Sequence, residues 1–156
     1  MRITIAAVGR LRRGAERDLV DDYLTRFDRT GRSLGLGPAR VREVEDKRNG
    51  GSNREAPLLT SAIPEGARVI ALDERGKLIS SPDFANLLAR WRDEGARDCA
   101  FLIGGADGLT RGLRDSADAK LSFGAMVWPH MLARVMLAEQ LYRAASILSG
   151  APYHRE

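Results

Sequence analysis

Glycine-containing turns follow three apolar stretches of this chain, and they are the first places where chemistry is expected. The turns are Leu72-Asp73-Glu74-Arg75-Gly76, Ile103-Gly104-Gly105-Ala106-Asp107-Gly108 and the stretch from Phe123-Gly124 to Pro129. In an open parallel sheet, ligands lie beyond the carboxyl ends of the strands, and glycine lets the backbone approach them closely. The alternative is that each glycine only makes a tight turn. Because neither a G-x-G-x-x-G nor a G-x-x-x-x-G-K-[ST] spacing occurs, the pattern favours a nucleotide-type ligand held by backbone groups over a classical NAD or ATP site.

Two histidines, His130 and His154, are the side chains whose charge changes near neutral pH. His130 begins the last helical stretch and His154 lies in the tail Tyr153-His154-Arg155-Glu156, so both are expected at a surface where a proton can be moved. A structural or solvated role is the alternative for each. Cys99 is the single cysteine, which excludes an internal disulfide framework, and the histidines and carboxylates lack a metal-ligand spacing. No metal site is expected, and the G-x-S-x-G elbow of a serine hydrolase is missing.

The last helical stretch, His130 to Leu148, mixes polar side chains with apolar ones that cover more than one stripe. Polar groups embedded in such a helix need partners, and Glu139 and Arg143 have the i, i+4 spacing of an ion pair. The other interpretation is a subunit interface, which the extent of apolar surface favours. The apolar residues concerned are Leu132, Val135, Met136 and Tyr142.

The elements that must position these groups follow from apolar periodicity. Strands are predicted over 3–8, 39–44, 67–73, 99–103 and 121–128, and helices over 15–30, 57–63, 81–94 and 130–148. The segment 46–55 is predicted to be a mobile polar loop, and residues 74–77 are predicted to turn the chain. Alternating strands and helices predict a three-layer α/β domain with a mostly parallel sheet, formed by residues 1–156 as a single domain.

Composition limits the classes of protein to which the chain can belong. Its 156 residues are 44% hydrophobic and 29% charged, which predicts a folded domain, and no apolar run approaches the roughly 20 residues that span a bilayer. An intracellular, cytoplasmic protein without a membrane partner is therefore expected. The net charge is +4, and residues 1–55 carry 13 basic and 9 acidic side chains. This basic half is suited to phosphates, although a solvated surface is the simpler interpretation.

Two segments of the sequence resemble those of a known protein family. LIGGADGL (102–109), followed by WPHMLARVMLAEQLYRAASILSGAPYHRE (128–156), resembles the family of bacterial 23S rRNA pseudouridine N3-methyltransferases of the SPOUT class. The start MRITIAAVGR, the turn LDERGK and the overall length also fit, so the resemblance covers essentially the whole chain. The ending PHxLxRVxLxEQLYRAxxIxxGxPYH is long and specific. One departure is Ala106, which stands where the family often has a proline with its fixed φ.

The resemblance implies a fold, a cofactor and partners. It implies an α/β SPOUT fold with a C-terminal trefoil knot, a homodimer, S-adenosylmethionine as cofactor, and a stem-loop of 23S rRNA in the assembled ribosome as substrate. Carried over position by position, it assigns cofactor binding to the three strand ends identified above. The assigned residues are Leu72, Asp73, Gly104, Gly105, Gly124, Ala125, Met126, Val127, Trp128 and Pro129.

The implied reaction moves a methyl group from a sulfonium to N3 of a pseudouridine base. Because N3 must lose a proton, a base or an anion-stabilising group is expected. His154 is favoured for that part, with Tyr153 stacking on or orienting the base and Arg155 contacting phosphate, while His130 is the second candidate. Two other functions stay open: a non-catalytic RNA-binding or ribosome-assembly protein of the same fold, and another α/β nucleotide-binding enzyme.

Overall fold

The computed structural model describes residues 1–154, which form a five-stranded sheet with helices on both faces. All strand pairs are parallel, and the strand order is β2-β1-β4-β3-β5. This confirms the predicted α/β architecture, whereas the trefoil knot stays a prediction. The elements are β1 (Arg2–Val8), α1 (Ala15–Gly31), β2 (Ala39–Val44), α2 (Ser52–Ala62), β3 (Arg68–Lys77), α3 (Ser81–Asp93), β4 (Asp98–Ile103), α4 (Arg111–Asp115), β5 (Ala119–Leu121) and α5 (His130–Ser149).

The sheet buries side chains on both faces, and each face has its own hydrophobic cluster. Along β1, Ile3, Ile5 and Ala7 join one cluster, whereas Ala6 and Val8 join the other. This alternation is the period of two that a strand imposes on its side chains. Helices α1, α3 and α5 cover the first face, and α2 and α4 cover the second. The result is the three-layer arrangement predicted for a buried parallel sheet.

The predicted strand over 121–128 is wrong beyond Leu121, where β5 ends. Strand β3 pairs with β5 at three consecutive residues, Ala119, Lys120 and Leu121, and Leu121 also lies opposite Lys77 past an irregularity in β3. Gly124 has a φ of +124°, which lies outside strand geometry, and the apolar residues 126–128 are exposed. An apolar run forms a strand only where a neighbouring strand offers its backbone hydrogen bonds, and here the chain leaves the sheet.

Strand β3 is longer than predicted, because residues 74–77 continue the strand instead of turning the chain. The register between β3 and β5 shifts between Leu72 and Lys77, which both lie opposite Leu121, so the pairing is irregular over this stretch. A carbon added as a Cβ on Gly76 would lie 2.5 Å from the carbonyl carbon of Leu121. Glycine is therefore needed at this position for the close approach of the two backbones, and not for a chain reversal.

Helix α2 begins at Ser52, five residues earlier than predicted, so the predicted mobile loop 46–55 is shorter. The Asp46 carboxylate accepts hydrogen bonds from the backbone N–H groups of Arg48 and Gly50 at 3.1 and 2.6 Å. These bonds hold the pKa of Asp46 below its ordinary value and order the turn before the helix. The helix was predicted near residues 57–63, whereas Pro57 lies inside α2.

Helix α4 was not predicted, since it has only five residues and no room for an apolar repeat. The Thr110 hydroxyl caps it by accepting a hydrogen bond from the backbone N–H of Leu113 at 3.3 Å. Helix α5 begins at His130 as predicted and ends one residue later than predicted, at Ser149. Within residues 1–154, no helix combines the length and the apolar character that crossing a bilayer requires.

Candidate functional site

Residues 72–75 of β3 and the turns that follow β4 and β5 surround one cavity of about 630 Å³. Strands β3 and β4 are neighbours, and Leu72 lies opposite Ile103 in their register. Residues 72–75 of β3 and the turn after β4 therefore lie side by side at the carboxyl edge of the sheet, the place where parallel sheets bind ligands. The stretch from Phe123 to Pro129 closes a further side of the cavity. Its volume suits a ligand the size of a nucleoside with a side chain.

Nine of the ten residues assigned to cofactor binding line this cavity, and the tenth does not. Ala125 is exposed and is absent from the cavity wall. The nine lining residues are Leu72, Asp73, Gly104, Gly105, Gly124, Met126, Val127, Trp128 and Pro129.

The turn after β4 is packed so closely that it excludes side chains at two positions. A Cβ on Gly104 would lie 2.5 Å from the carbonyl carbon of Gly108. A Cβ on Gly105 would lie 2.9 Å from Oε1 of Glu55 and 3.1 Å from Cγ1 of Val8. The backbone N–H of Gly108 donates to the carbonyl of Gly105 at 3.0 Å, which closes the turn. The turn therefore presents backbone groups to the cavity, as a ligand held by backbone atoms requires.

Asp73 is held by groups of the protein and is not a free acid in the cavity. Its Oδ1 accepts the backbone N–H of Arg75 at 3.0 Å, and its Oδ2 forms an ion pair with Nη1 of Arg114 at 3.3 Å. Both side chains of the pair are largely buried. Sequence reasoning missed Arg114, because it lies on the short helix α4. The pair joins the second half of β3 to α4 and holds this part of the cavity wall in place.

His130 lies at the cavity, between the loop after β5 and the turn after β1. Its side chain lines the cavity, and its Nε2 lies 3.6 Å from the position that a Cβ on Gly9 would take. The turn that begins at Gly9 carries exposed arginines, among them Arg12 and Arg13. The imidazole therefore lies between the cavity and a surface turn that carries exposed arginines.

The described residues of the tail, Tyr153 and His154, lie against the middle of α5. The Tyr153 hydroxyl donates a hydrogen bond to Oε1 of Glu139 at 3.0 Å, and Nη1 of Arg143 lies 3.4 Å from Nδ1 of His154. Helix α5 rises about 1.5 Å per residue, which puts Arg143 about 20 Å along the helix from His130. The structure thus separates the two predicted histidines. The predicted phosphate contact, Arg155, lies outside the described residues.

Tyr153 and His154 form one hydrogen-bonded cluster with Glu139 and Arg143. Glu139 and Arg143 form the ion pair expected from their spacing, at 2.6 Å, which keeps the pKa of Arg143 above its ordinary value. Burial and the hydrogen bond with Glu139 raise the pKa of Tyr153 to about 12, so its phenol is protonated at neutral pH. Since a guanidinium only donates, Nδ1 of His154 is the acceptor in its contact with Arg143. A neutral His154 then carries its proton on Nε2.

Comparison with known proteins gives consistent matches along the chain. The family model described as "Predicted SPOUT methyltransferase" matches residues 1–154. Proteins named "Ribosomal RNA large subunit methyltransferase H" are 70% identical in Dinoroseobacter shibae and 68% identical in Ruegeria pomeroyi, over 99% of both chains in each case. The relative of that name in Paracoccus denitrificans is 64% identical over 100% of both chains.

One solved structure has a similar fold despite low sequence identity. It is described as a probable methylase family protein from Haemophilus influenzae Rd KW20. The similarity has a TM-score of 0.52 at 12% identity and covers 99% of this chain and 70% of that chain. At that identity the match concerns the fold alone.

Proposed function

The chain belongs to the SPOUT methyltransferase family, and from this premise we propose that it methylates ribosomal RNA of the large subunit with S-adenosylmethionine. We further propose N3 of a pseudouridine in a stem-loop of 23S rRNA, within the assembled ribosome, as the methyl acceptor. The observation that supports this most directly is the 70% identity to a large-subunit rRNA methyltransferase along nearly the full length of both chains. An enzyme with this substrate works in the cytoplasm, where the ribosomes are.

The cavity fits the cofactor in size and in the character of its walls. Backbone groups of Leu72, of Gly105 and of the loop 124–129 would hold it, since the packing around Gly104 and Gly105 leaves no room for side chains there. Bound S-adenosylmethionine supplies a methyl group that is already activated on a sulfonium. The contribution of the protein is then to orient the two reactants and to handle the proton of N3.

We propose that His154 stabilises the anion that develops at the acceptor base. With Nδ1 turned toward Arg143, a neutral imidazole presents its Nε2–H as a hydrogen-bond donor, which favours stabilisation of an anion over proton abstraction. Tyr153 remains a neutral phenol whose ring can orient the base. Because a chain's own tail lies about 20 Å along α5 from its cavity, the tail of a second copy is the one that meets the cavity in a homodimer.

Methylation of purified ribosomes tests this function. The wild-type protein with S-adenosylmethionine should add one methyl group to a 23S rRNA fragment, as mass spectrometry of that fragment would show. His154→Ala should lower turnover about a hundredfold or more, while the affinity for the cofactor stays within about twofold, because His154 acts on the acceptor base. The matched control is Glu65→Ala, an exposed side chain on a turn, which should leave both quantities unchanged.

The same assay separates the two other functions named above. A non-catalytic RNA-binding protein of this fold would bind ribosomes and transfer no methyl group. Another nucleotide-binding enzyme would be stabilised against heat by NAD or ATP and not by S-adenosylmethionine. Normal turnover of the His154→Ala variant would remove His154 from the mechanism and leave the methyltransferase function standing.

A further inference from the structure

Glu55 is a carboxylate without a hydrogen-bond partner beside the proposed cofactor cavity. It lies in the first turn of α2, and its Oε2 atom is buried and accepts no hydrogen bond from the described residues. Residues 1–154 provide no ion pair for it either. Leaving a buried polar atom without a partner costs free energy, so such an atom calls for a physical explanation.

The carboxylate lies directly against the glycine turn. Its two oxygens are 2.9 and 3.1 Å from the position that a Cβ on Gly105 would take, and Gly105 itself lines the cavity. The start of α2 meets the same turn at a second point, where Oδ2 of Asp107 is 2.8 Å from the position of a Cβ on Gly51. Only Gly105, which has no side chain, separates Glu55 from the cavity.

The other charges around the cavity are unevenly compensated. Asp73 forms an ion pair with Arg114 at 3.3 Å, and Glu74 lies 3.7 Å from Arg75. Glu55 and Asp107 have no cationic partner in the part of the chain that the structure describes. The glycine-turn side of the cavity therefore carries an excess of negative charge, which favours a cationic ligand.

We propose that Glu55 is a positioning residue that makes the cavity prefer the sulfonium form of the cofactor to its thioether product. This inference rests on the proposed function. In the transfer, the bond between sulfur and the methyl carbon breaks and its electron pair stays on sulfur. The electron pair of N3 forms the new bond to the methyl carbon, and the proton of N3 leaves to solvent or to a basic group. S-adenosylmethionine thus loses one positive charge when it becomes S-adenosylhomocysteine.

A carboxylate behind the cavity wall, with one buried oxygen and no ion pair within residues 1–154, acts differently on these two ligands. Coulombic attraction is stronger where water is excluded, so the negative charge at Glu55 stabilises the bound sulfonium. The same charge gains little from a neutral thioether, which is therefore released more easily. A purely structural role of Glu55 in supporting the glycine turn would affect both ligands equally, because they differ only in the methyl group and its charge.

Calorimetric binding of three ligands to the purified protein tests the proposal without any measurement of turnover. The ligands are S-adenosylmethionine, S-adenosylhomocysteine and sinefungin, in which an amine-bearing carbon replaces the sulfonium. In Glu55→Gln, which keeps the shape and removes the charge, the affinity for S-adenosylmethionine should fall about tenfold. The affinity for S-adenosylhomocysteine should stay within about twofold, and sinefungin should follow S-adenosylmethionine.

Two further variants control this experiment. Glu65→Gln removes an exposed carboxylate elsewhere and should change none of the three affinities. Glu55→Asp keeps the charge but withdraws it by one methylene, so its preference for S-adenosylmethionine over S-adenosylhomocysteine should lie between those of the wild type and Glu55→Gln. This second variant also covers the case in which Glu55→Gln does not fold.

Equal losses for all three ligands would overturn the proposal and leave Glu55 as a support of the glycine turn. Unchanged affinities in Glu55→Gln would overturn it as well, since the charge would then have no effect. These results differ from a failure of the proposed function itself, in which the wild-type protein binds neither S-adenosylmethionine nor S-adenosylhomocysteine.

Discussion

Gly105 is the residue at which the proposed cofactor site depends most on the absence of a side chain. It lines the cavity on one side and contacts the Glu55 carboxylate and Val8 on the other. A Cβ at this position would therefore strike the protein before it met a ligand. A substitution at Gly105 is therefore expected to disturb the packing of the glycine turn as well as ligand binding.

We predict that Gly105→Ala weakens S-adenosylmethionine binding at least tenfold and lowers the free energy of unfolding by about 1–3 kcal/mol, the usual cost of an overpacked site. Calorimetry and urea unfolding would measure the two effects. Gly112→Ala is the matched control, because nothing lies within 4 Å of a Cβ there and alanine favours a helix. Wild-type affinity in a folded Gly105→Ala variant would place the ligand elsewhere.

At the scale of elements, the buried side chain of Arg134 links α5 to the sheet. The Arg134 side chain is 0% exposed, and it forms an ion pair with Glu43 of β2 at 2.9 Å. Its Nη2 donates to the carbonyls of Val8 and Gly9 at 3.0 Å each. Burial keeps the pKa of Arg134 below its ordinary value, with Glu43 opposing the shift. One side chain thus joins α5, the edge strand β2 and the turn after β1 beside His130.

Arg134→Met should lower the free energy of unfolding by about 3 kcal/mol, because it leaves Glu43 and two carbonyls without their donor. Denaturant unfolding followed by circular dichroism would measure this. The double variant Arg134→Met/Glu43→Gln should recover part of the loss, since it no longer leaves an unpaired carboxylate. Arg90→Met, on the exposed ion pair with Glu94, is the control and should cost less than about 1 kcal/mol. A loss below 1 kcal/mol for Arg134→Met would show that this linkage is not needed.

At the scale of the whole molecule, the surface beside the cavity is apolar and exposed. Met126 and Val127 are 73% and 81% exposed, and Trp128, Met131 and Leu132 are each about two-fifths exposed. These five neighbours in the chain run from the cavity loop into the start of α5. Exposed apolar side chains in such a group are typical of surfaces that bind another protein. The expected homodimer would cover them and bring a second tail toward the cavity.

We predict a homodimer at micromolar concentration, measured by sedimentation velocity. Leu132→Glu should shift the protein to the monomer, because it introduces a charge into the apolar surface that the dimer would bury. The control, Leu19→Glu, changes an equally exposed leucine on α1 and should leave the dimer intact. The prediction would be contradicted if the wild-type protein were a monomer at these concentrations. It would also be contradicted if the Leu132→Glu variant formed a dimer as stable as that of the wild type.

The accuracy of the sequence predictions varied between elements for physical reasons. Strands β2 and β4 and helix α5 were predicted within one residue of their observed bounds, because their apolar residues follow local periods or form short buried runs. The end of β5, the start of α2 and the whole of α4 were missed. The apolar period of the sequence encodes none of these features. The end of β5 depends on a neighbouring strand, the start of α2 on the turn held by Asp46, and α4 on capping by Thr110.

The sequence by itself determined the alternation of strands and helices, the three glycine-bearing turns and the family resemblance of the C-terminal segment. Only the tertiary structure decided that Arg114 lines the cavity and Ala125 does not, that Glu55 lies behind Gly105, and that Tyr153 and His154 pack beside Glu139 and Arg143. The reason is that side-chain periodicity is a local property of the chain. Which turn meets which helix depends on the order of the strands in the sheet, and residues 50 positions apart become neighbours only when that order is known.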